Sequence, residues 1–559
     1  MNTKRLGLAL LATMLLIPLF AAAQTPSAAG AVAGTQPVPQ WWSDARFGMF
    51  IHWGPVSLKG TEIGWSRGGE RPGIGGTGEI PAEVYDNLYK QFNPVEFDAK
   101  AWVKLAQDAG MKYMVFTTKH HDGFCEFDSK YTDYKITNSP FKRDIVAELT
   151  AAAHEAGMPI GFYYSPPDFH HPDFRRENNA RYTEYFHNQV RELLGNYGKI
   201  SIMWFDGLNG NAKEYQAEDL IKDIRRLQPG IVINNRLGLP ADHDTPEQTI
   251  GRFQRGRPWE SCITICQQWA WKPDDTMKTL DECLSTLVRC AGGDGNLLFN
   301  VGPMPTGQIE PRQQDRLREM GAWLKQHGDT IYGTRGGPWR PGKWGACTSK
   351  GSTVFVHCLS KDQETLDLPA IPRRMTGFKA LCGGDVKVAQ NDKGEVHIAM
   401  GKDGRDPIDT IIAIELDKPV TDIEISELRS NSLAHGKPAT ASNVYQKMND
   451  LHGPQMALDD NPETRWATDA GVGEAWLEVD LGAPTRIGQV AISEAIRRVQ
   501  EFAVEAFVDG AWKPVLEGKH IGDAYEKGFD PVTTSKVRLH ILKATDGPTF
   551  SEFQVFPPK

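Results

Sequence analysis

Between residues 45 and 335, short apolar runs alternate with amphipathic stretches, and this alternation limits the possible folds more than any other feature of the chain. The runs "FGMFIHWG" (47–54), "YMVFTTKHH" (113–121), "PIGFYYS" (159–165), "ISIMWFD" (200–206), "IVINNR" (231–236), "CITIC" (262–266) and "NLLFNVG" (296–302) read as buried strands. Between them, "DAKAWVKLAQDAG" (98–110), "RDIVAELTAAAHEAG" (143–157), "YQAEDLIKDIRRLQPG" (215–230) and "MKTLDECLSTLVRCAGG" (277–293) have helical spacing and stop at or just before glycine. Strand, crossover helix and parallel strand in repetition predict a (β/α)8-type barrel over residues 41–335. Seven strand runs stand where a closed barrel has eight, so the barrel is expected to be irregular.

After residue 335 the helices stop. "STVFVHCLS", "ETLDLPAI" and "DTIIAIELD" are short strands parted by turn residues, which predicts a β-sandwich over 336–425. A second shift, near "SELRSNSLAHGKPATAS" (426–442), opens another strand-rich region over 430–559. The fold class is therefore multidomain.

The chain opens with Lys4 and Arg5, an apolar run from Leu6 to Phe20 that includes Pro18, and Ala21-Ala22-Ala23 before Gln24. That order reads as a secretory signal peptide over 1–23, with export to the periplasm or the extracellular space. The run is shorter than the roughly 20 apolar residues of a spanning helix, so no membrane anchor is expected. Residues 24–40, rich in Ala, Gly and Pro, read as a flexible leader. A formal charge of −9 gives no basic footprint for nucleic acid. The spacing of the eight cysteines dictates no disulfide pairing, and Cys262 and Cys266 are expected to pack on one side of their strand.

Barrel enzymes place their chemistry at the C-terminal strand ends. Asp206 closes an apolar strand there and shares a face with Trp204, because side chains alternate along a strand. His52, His120 and His121, Tyr163 and Arg236 close other strands. Rings and hydrogen-bonding groups on one rim suit a sugar, whose hydroxyls need polar partners and whose C–H faces pack on aromatic rings. A zinc site is the other use of a histidine cluster. Adjacent His120 and His121 would point apart on an extended strand, which argues against zinc. Glycoside cleavage commonly takes two carboxyl groups, and the second is sought at Glu247 in "DHDTPEQ" or at Glu260 in "RPWESC". Glu247 lies on a polar loop, whereas Glu260 adjoins Trp259, whose ring would desolvate it.

The blocks "ARFGMFIHWG", "KYMVFTTKHHDGF", "GFYYS", "WFDG", "TPEQ", "WESC" and "NLLFNVGP" resemble, in order, those of the α-L-fucosidases of glycoside hydrolase family 29. The resemblance implies a retaining exo-hydrolase of fucosylated oligosaccharides or glycoconjugates, working through a covalent glycosyl-aspartate with no catalytic cofactor. It implies Asp206 as nucleophile, with His52, His120, His121, Tyr163, Trp204 and Arg236 as fucose-binding residues. By order after Arg236, Glu247 is read as the acid/base, and Glu260 is the second candidate. Where the family has a Glu-Trp pair, this chain has "TEIGWSRGG", so Trp65 is expected to stack on the sugar and Glu62 to substitute for the glutamate. Trp271 or Trp269 of "QQWAW" is expected to cover the C5 methyl group.

The tail blocks "ALDDNPETRWATD", "WLEVDLG" and "FSEFQVF" resemble a discoidin-like, galactose-binding-type domain of carbohydrate-binding module family 32. That resemblance implies a structural calcium at Asp459, Asn461, Thr464 and Glu552, an oxygen-rich set suited to that ion.

Overall fold

The computed structural model describes residues 35–558 apart from 75, 208–210, 252, 383, 402–404, 425–431, 461–463 and 523–524. Residues 1–23, expected to be a signal peptide, and most of the expected leader lie outside the described residues. The leader's last residues are docked: the Gln36 amide donates to Asp242 at 2.8 Å, and Val38 packs against barrel side chains.

Seven parallel strands form the barrel wall: β1 (Phe47–Ile51), β2 (Met114–Lys119), β3 (Ile160–Tyr164), β4 (Ile202–Phe205), β5 (Val232–Ile233), β6 (Glu260–Thr264) and β7 (Asn296–Val301), in the order β5-β4-β3-β2-β1-β7-β6. Every strand residue is buried, as expected where helices cover one face and barrel side chains fill the other. Three of the helices start on side-chain caps. Asp98 accepts from the Ala101 amide, Asp144 from that of Ala147, and Thr279 with Glu282 forms a capping box.

The gap between β5 and β6 is closed by an irregular segment in place of an eighth strand. The Asp242 and Asn235 amides bond the Ile233 and His243 carbonyls on the β5 side, at 2.9 and 3.0 Å. On the β6 side the Glu260 amide donates to Asp244, that of Cys262 to Pro246, and that of Gln248 to Cys262, at 2.9 to 3.0 Å. Pro240, Pro246 and the left-handed Ala241 and Gln248 keep residues 240–248 from forming a regular ladder. This segment carries Glu247.

Strands from Arg335 to Leu416 form sheets of five and three strands around a core that includes Trp339, Val356, Ile398 and Ile414. The tail is built on two twenty-residue strands, Ala475–Glu494 and Tyr525–Ala544, paired antiparallel with register shifts that let one sheet wrap on itself around Trp466, Leu477, Phe502 and Phe553. Arg255 ties barrel to sandwich by donating to the carbonyls of Gly336, Gly337, Val420 and Ile423. No helix among the described residues is long and apolar enough to cross a membrane. None of the eight cysteines, all of them among the described residues, is joined in a disulfide, and seven are buried. Cys262 and Cys266 do not share a side: β6 ends at Thr264, so Cys262 faces the barrel interior while Cys266 packs in the outer core.

Candidate active site

The strand ends converge on a small cavity of about 90 Å3, lined by Phe50, His52, Trp65, His120, His121, Tyr163, Trp204, Asp206, Arg236, Glu247, Cys262 and Trp269. This is well below the roughly 300–1,000 Å3 of sites for drug-sized ligands, so it fits one small ring.

Asp206 follows β4 directly, and alternation puts it with Trp204 on the inner face while Phe205 packs outward on Phe186. Its Oδ1 accepts from Arg236 Nη1 at 2.9 Å and from the Gly207 amide at 2.7 Å. Its Oδ2 accepts from the Tyr163 hydroxyl at 2.5 Å and lies 3.4 Å from His121 Nε2. Burial pushes this carboxyl up, but His121, Arg236, Tyr163 and the Gly207 amide outweigh it and hold the group at about 2. Since His121 is itself neutral at pH 7, Arg236 is the charge that keeps Asp206 ionised.

Arg236 sits on a 3-10 turn, Asn235–Leu237, after β5. Its Nε and Nη2 are fixed by the hydroxyl and carbonyl of Thr245, and its guanidinium lies 4.8 Å from the Trp204 ring centre. The same Nη1 that meets Asp206 lies 2.7 Å from Glu247 Oε2. The two carboxylate oxygens are therefore separated by at most the sum of 2.9 and 2.7 Å, about 5.6 Å.

Burial lowers the histidines: His52 and His121 fall to about 4, and His120 falls well below its ordinary value. Second partners assign their protons. Asn300 Nδ2 donates to the Trp269 carbonyl, so Asn300 Oδ1 accepts from His52 Nδ1 at 2.7 Å. Ser165 donates to the Pro167 carbonyl and accepts from His121 Nδ1 at 2.6 Å. Both rings thus keep Nε2 as a lone-pair acceptor, which suits sugar hydroxyl donors. His120 stacks on Tyr163, with ring centres 5.4 Å apart and planes 7° apart.

Adjacent His120 and His121 do not point apart, because β2 ends at Lys119 and both lie on the following turn, their ring centres 4.2 Å apart. Donor atoms of His120, His121 and Asp206 even lie within 4.8 Å of one another. The guanidinium bonded to Asp206 sets a fixed positive charge where a metal ion would sit, and this disfavours zinc.

Three expected residues stand elsewhere. Glu260, the first residue of β6, is wholly buried below the cavity, where Tyr113 donates to it and Trp204 Nε1 lies 3.3 Å away. That removes it from the groups facing a ligand. Glu62 is also outside the lining: its carboxylate accepts from the amides of Trp269 and Ala270 at 2.9 and 3.0 Å, and burial raises its pKa. Trp269 faces the cavity and Trp271 does not. Trp65 lies at the rim, edge-on to His121 at 5.0 Å. Before it, Gly64 has φ +67°, and a Cβ there would stand 2.7 Å from His120 Nδ1, so a glutamate cannot occupy that position.

Sequence reasoning missed Asn300, Ser165 and the carboxylate-bridging part of Arg236. Asn300 was visible as the one polar residue inside "LLFNV".

In the tail, both Glu552 oxygens are buried with no hydrogen-bond donor among the described residues. Burial, then Asp460 and Asp459, push this carboxyl up to about 9. Three clustered acids, one of them bare, fit an oxygen-ligated divalent cation. Thr464 donates to Asp459 at 2.8 Å, and Asn461 lies outside the described residues.

The α-L-fucosidase family profile matches residues 21–329, and that of the F5/8 type C domain matches 438–553. Human plasma α-L-fucosidase is 30% identical over 369 residues, 58% of this chain and 76% of that protein. α-L-Fucosidase isoenzyme 1 from Paenibacillus thiaminolyticus superposes with a TM-score of 0.61 at 36% identity, covering 68% of this chain and 98% of that one. A Bacteroides thetaiotaomicron α-L-fucosidase solved as a trapped covalent intermediate gives a TM-score of 0.60 at 28% identity, covering 68% and 97%.

Proposed function

The chain belongs to the α-L-fucosidase family and is a glycoside hydrolase with a C-terminal discoidin domain, and from that premise we propose that it is an exported exo-enzyme that removes terminal α-L-fucose with retention. Asp206 Oδ attacks C1 as the glycosidic C–O bond breaks, and Glu247 gives its proton to the leaving oxygen. Esterification removes the charge of Asp206 and leaves Arg236 to Glu247 alone, which then takes a proton from water as that water attacks C1 and the C1–Oδ ester bond to Asp206 breaks. Fucose leaves with its original configuration and both carboxyl groups are restored.

The observation that carries this reading is the single guanidinium nitrogen bonded to both carboxylates. A separation of at most about 5.6 Å matches the roughly 5–5.5 Å of retaining pairs and leaves no room for the water an inverting pair holds. The neutral histidines accept the sugar's hydroxyls, Trp65 stacks at the rim and Trp269 covers the C5 methyl. Fucosylated oligosaccharides or glycoconjugates are the substrates. In the tail, Asp459, Thr464 and Glu552, with Asn461, would hold a calcium ion that takes no part in catalysis.

Release of the chromophore from an aryl α-L-fucoside tests the reading, with wild type, Asp206→Ala and Glu247→Ala compared with and without azide. The expected products are β-fucosyl azide from Asp206→Ala and α-fucosyl azide from Glu247→Ala. A wild type that binds fucose without turnover would be a fucose-binding protein instead.

A further inference from the structure

Where barrel, sandwich and tail meet, a cleft of about 720 Å3 opens beside the irregular barrel segment. Pro246 belongs to this cleft and Glu247 to the small cavity, so one short stretch of chain walls both. Three cations face the cleft: Arg289 from the helix Leu280–Gly292, Lys343 from the sandwich and Arg465 from the tail. Among the described residues, none of them forms an ion pair within 4 Å or donates a side-chain hydrogen bond.

Arg289 carries most of the argument. It is half-buried, its Nε is enclosed without an acceptor, and burial lowers its pKa. The acid that opposes this, Asp281, is committed to Lys361 at 2.8 Å. The carboxylates on the cleft wall are also committed. Glu494 accepts from the amides of Arg498, Val499 and Gly522 at 2.7 to 2.9 Å, and Asp244 is bonded by Arg257 and Asn235 at 2.7 and 3.0 Å. A guanidinium taken partly out of water without a counter-ion is costly, and no described residue supplies one. The volume lies within the range of small-ligand sites.

We propose that this cleft binds an anionic sugar, one carrying a sulfate ester or a carboxylate, so that acidic glycans are held at a second point while their fucose enters the barrel. The cations require the anion. The sugar follows from the shared wall, and in that respect the inference rests on the fucosidase reading.

The test is calorimetric titration of the full chain, its barrel pocket filled with L-fucose, using galactose 6-sulfate, galacturonate, galactose and inorganic sulfate on wild type, Arg289→Gln and Arg465→Gln. Both acidic sugars should bind at least tenfold more tightly than galactose, and galactose 6-sulfate at least tenfold more tightly than inorganic sulfate. Each variant should lose at least tenfold; Arg465 is exposed, so its variant keeps the test alive if Arg289→Gln fails to fold. Equal binding of acidic and neutral sugars, inorganic sulfate bound as well as the sulfated sugar, or variants that bind like wild type overturns the proposal. Turnover of an aryl α-L-fucoside is read in parallel. Turnover without anionic-sugar binding overturns the cleft alone, and binding without turnover overturns the fucosidase reading alone.

Discussion

Asp206 at the barrel mouth and Glu552 in the tail are both carboxylates drawn out of water, and the chain treats them in opposite ways. Around Asp206 it gathers a guanidinium, a phenol, an amide and an imidazole, which hold the acid at about 2. Around Glu552 it gathers more acid and, among the described residues, no donor, and the group rises to about 9. The two arginines Arg236 and Arg289 repeat the contrast, one shared by two carboxylates and the other with none. A site whose carboxylates share a guanidinium is ready to react with a neutral substrate, whereas a buried charge left without a partner is completed by what it binds.

The largest break in this comparison comes from Asp206→Ala. Turnover should fall on the order of 10⁴-fold or more, azide should restore part of it, and the fold should survive because the side chain lies at the cavity wall. Retained activity would remove the barrel mouth from the contrast altogether.

Arg236→Met should cost about 10²- to 10³-fold in kcat/KM, since it removes a charge-assisted clamp on both carboxylates. It should also move the acid limb of the pH profile upward, because the guanidinium holds Asp206 low. In the wild type, acid should act first through His52 and His121, which take up protons near pH 4 and lose their acceptor nitrogens. Because their unfolded values lie near 6.5, the unfolded chain binds more protons between about pH 6.5 and 4, and stability falls as pH falls through that window. The contribution of Asp206 is lost lower, between its unfolded value near 4 and its folded value of about 2.

The tail should respond in the opposite sense. Without metal, Glu552 has a raised folded pKa, so its contribution is present below about 4.5 and is lost as pH rises toward 9. Chelator should therefore lower the tail's melting temperature at pH 8 more than at pH 5, calcium should restore it, and Glu552→Gln should abolish the response. A chelator effect equal at both pH values would show that Glu552 is not the group metal neutralises.

The smallest effect is expected at Glu62. Glu62→Gln replaces one acceptor with a donor facing an amide of Trp269 or Ala270, and should raise KM about tenfold with little change in kcat, since it acts by placing Trp269. A fall in kcat with KM unchanged would move Glu62 from positioning into chemistry.

The strand periodicity made the barrel legible, because seven β-prone runs alternate with helical stretches, and five of those runs close on residues of the cavity wall, His52, His120 with His121, Tyr163, Asp206 and Arg236. Asp206, Trp204 and Tyr163 could be read from alternation alone. Glu62, Glu260 and Trp271 could not be placed, because their environment is set by contacts across long sequence separations: Glu62 meets residues 269–270, and Glu260 meets Tyr113. The two histidines were misdirected because strand geometry was extended two residues past where β2 ends. The Glu247 segment looked like an ordinary loop, since two prolines and no apolar run hide its place in the wall.

That irregular wall has a consequence for how such an enzyme diversifies. Seven staves are held in register by parallel ladders, and a residue gained or lost in any of them would turn its inner face outward. The eighth is tied by no continuous ladder and has no strand register to lose, so the stretch around Glu247 can be lengthened, shortened or exchanged as long as Thr245 keeps its hold on Arg236 and Asp242 its pairing with Arg225. The residue that meets the departing group is mounted on the one part of the wall that is replaceable, and new linkage preferences can be acquired there without refounding the fold.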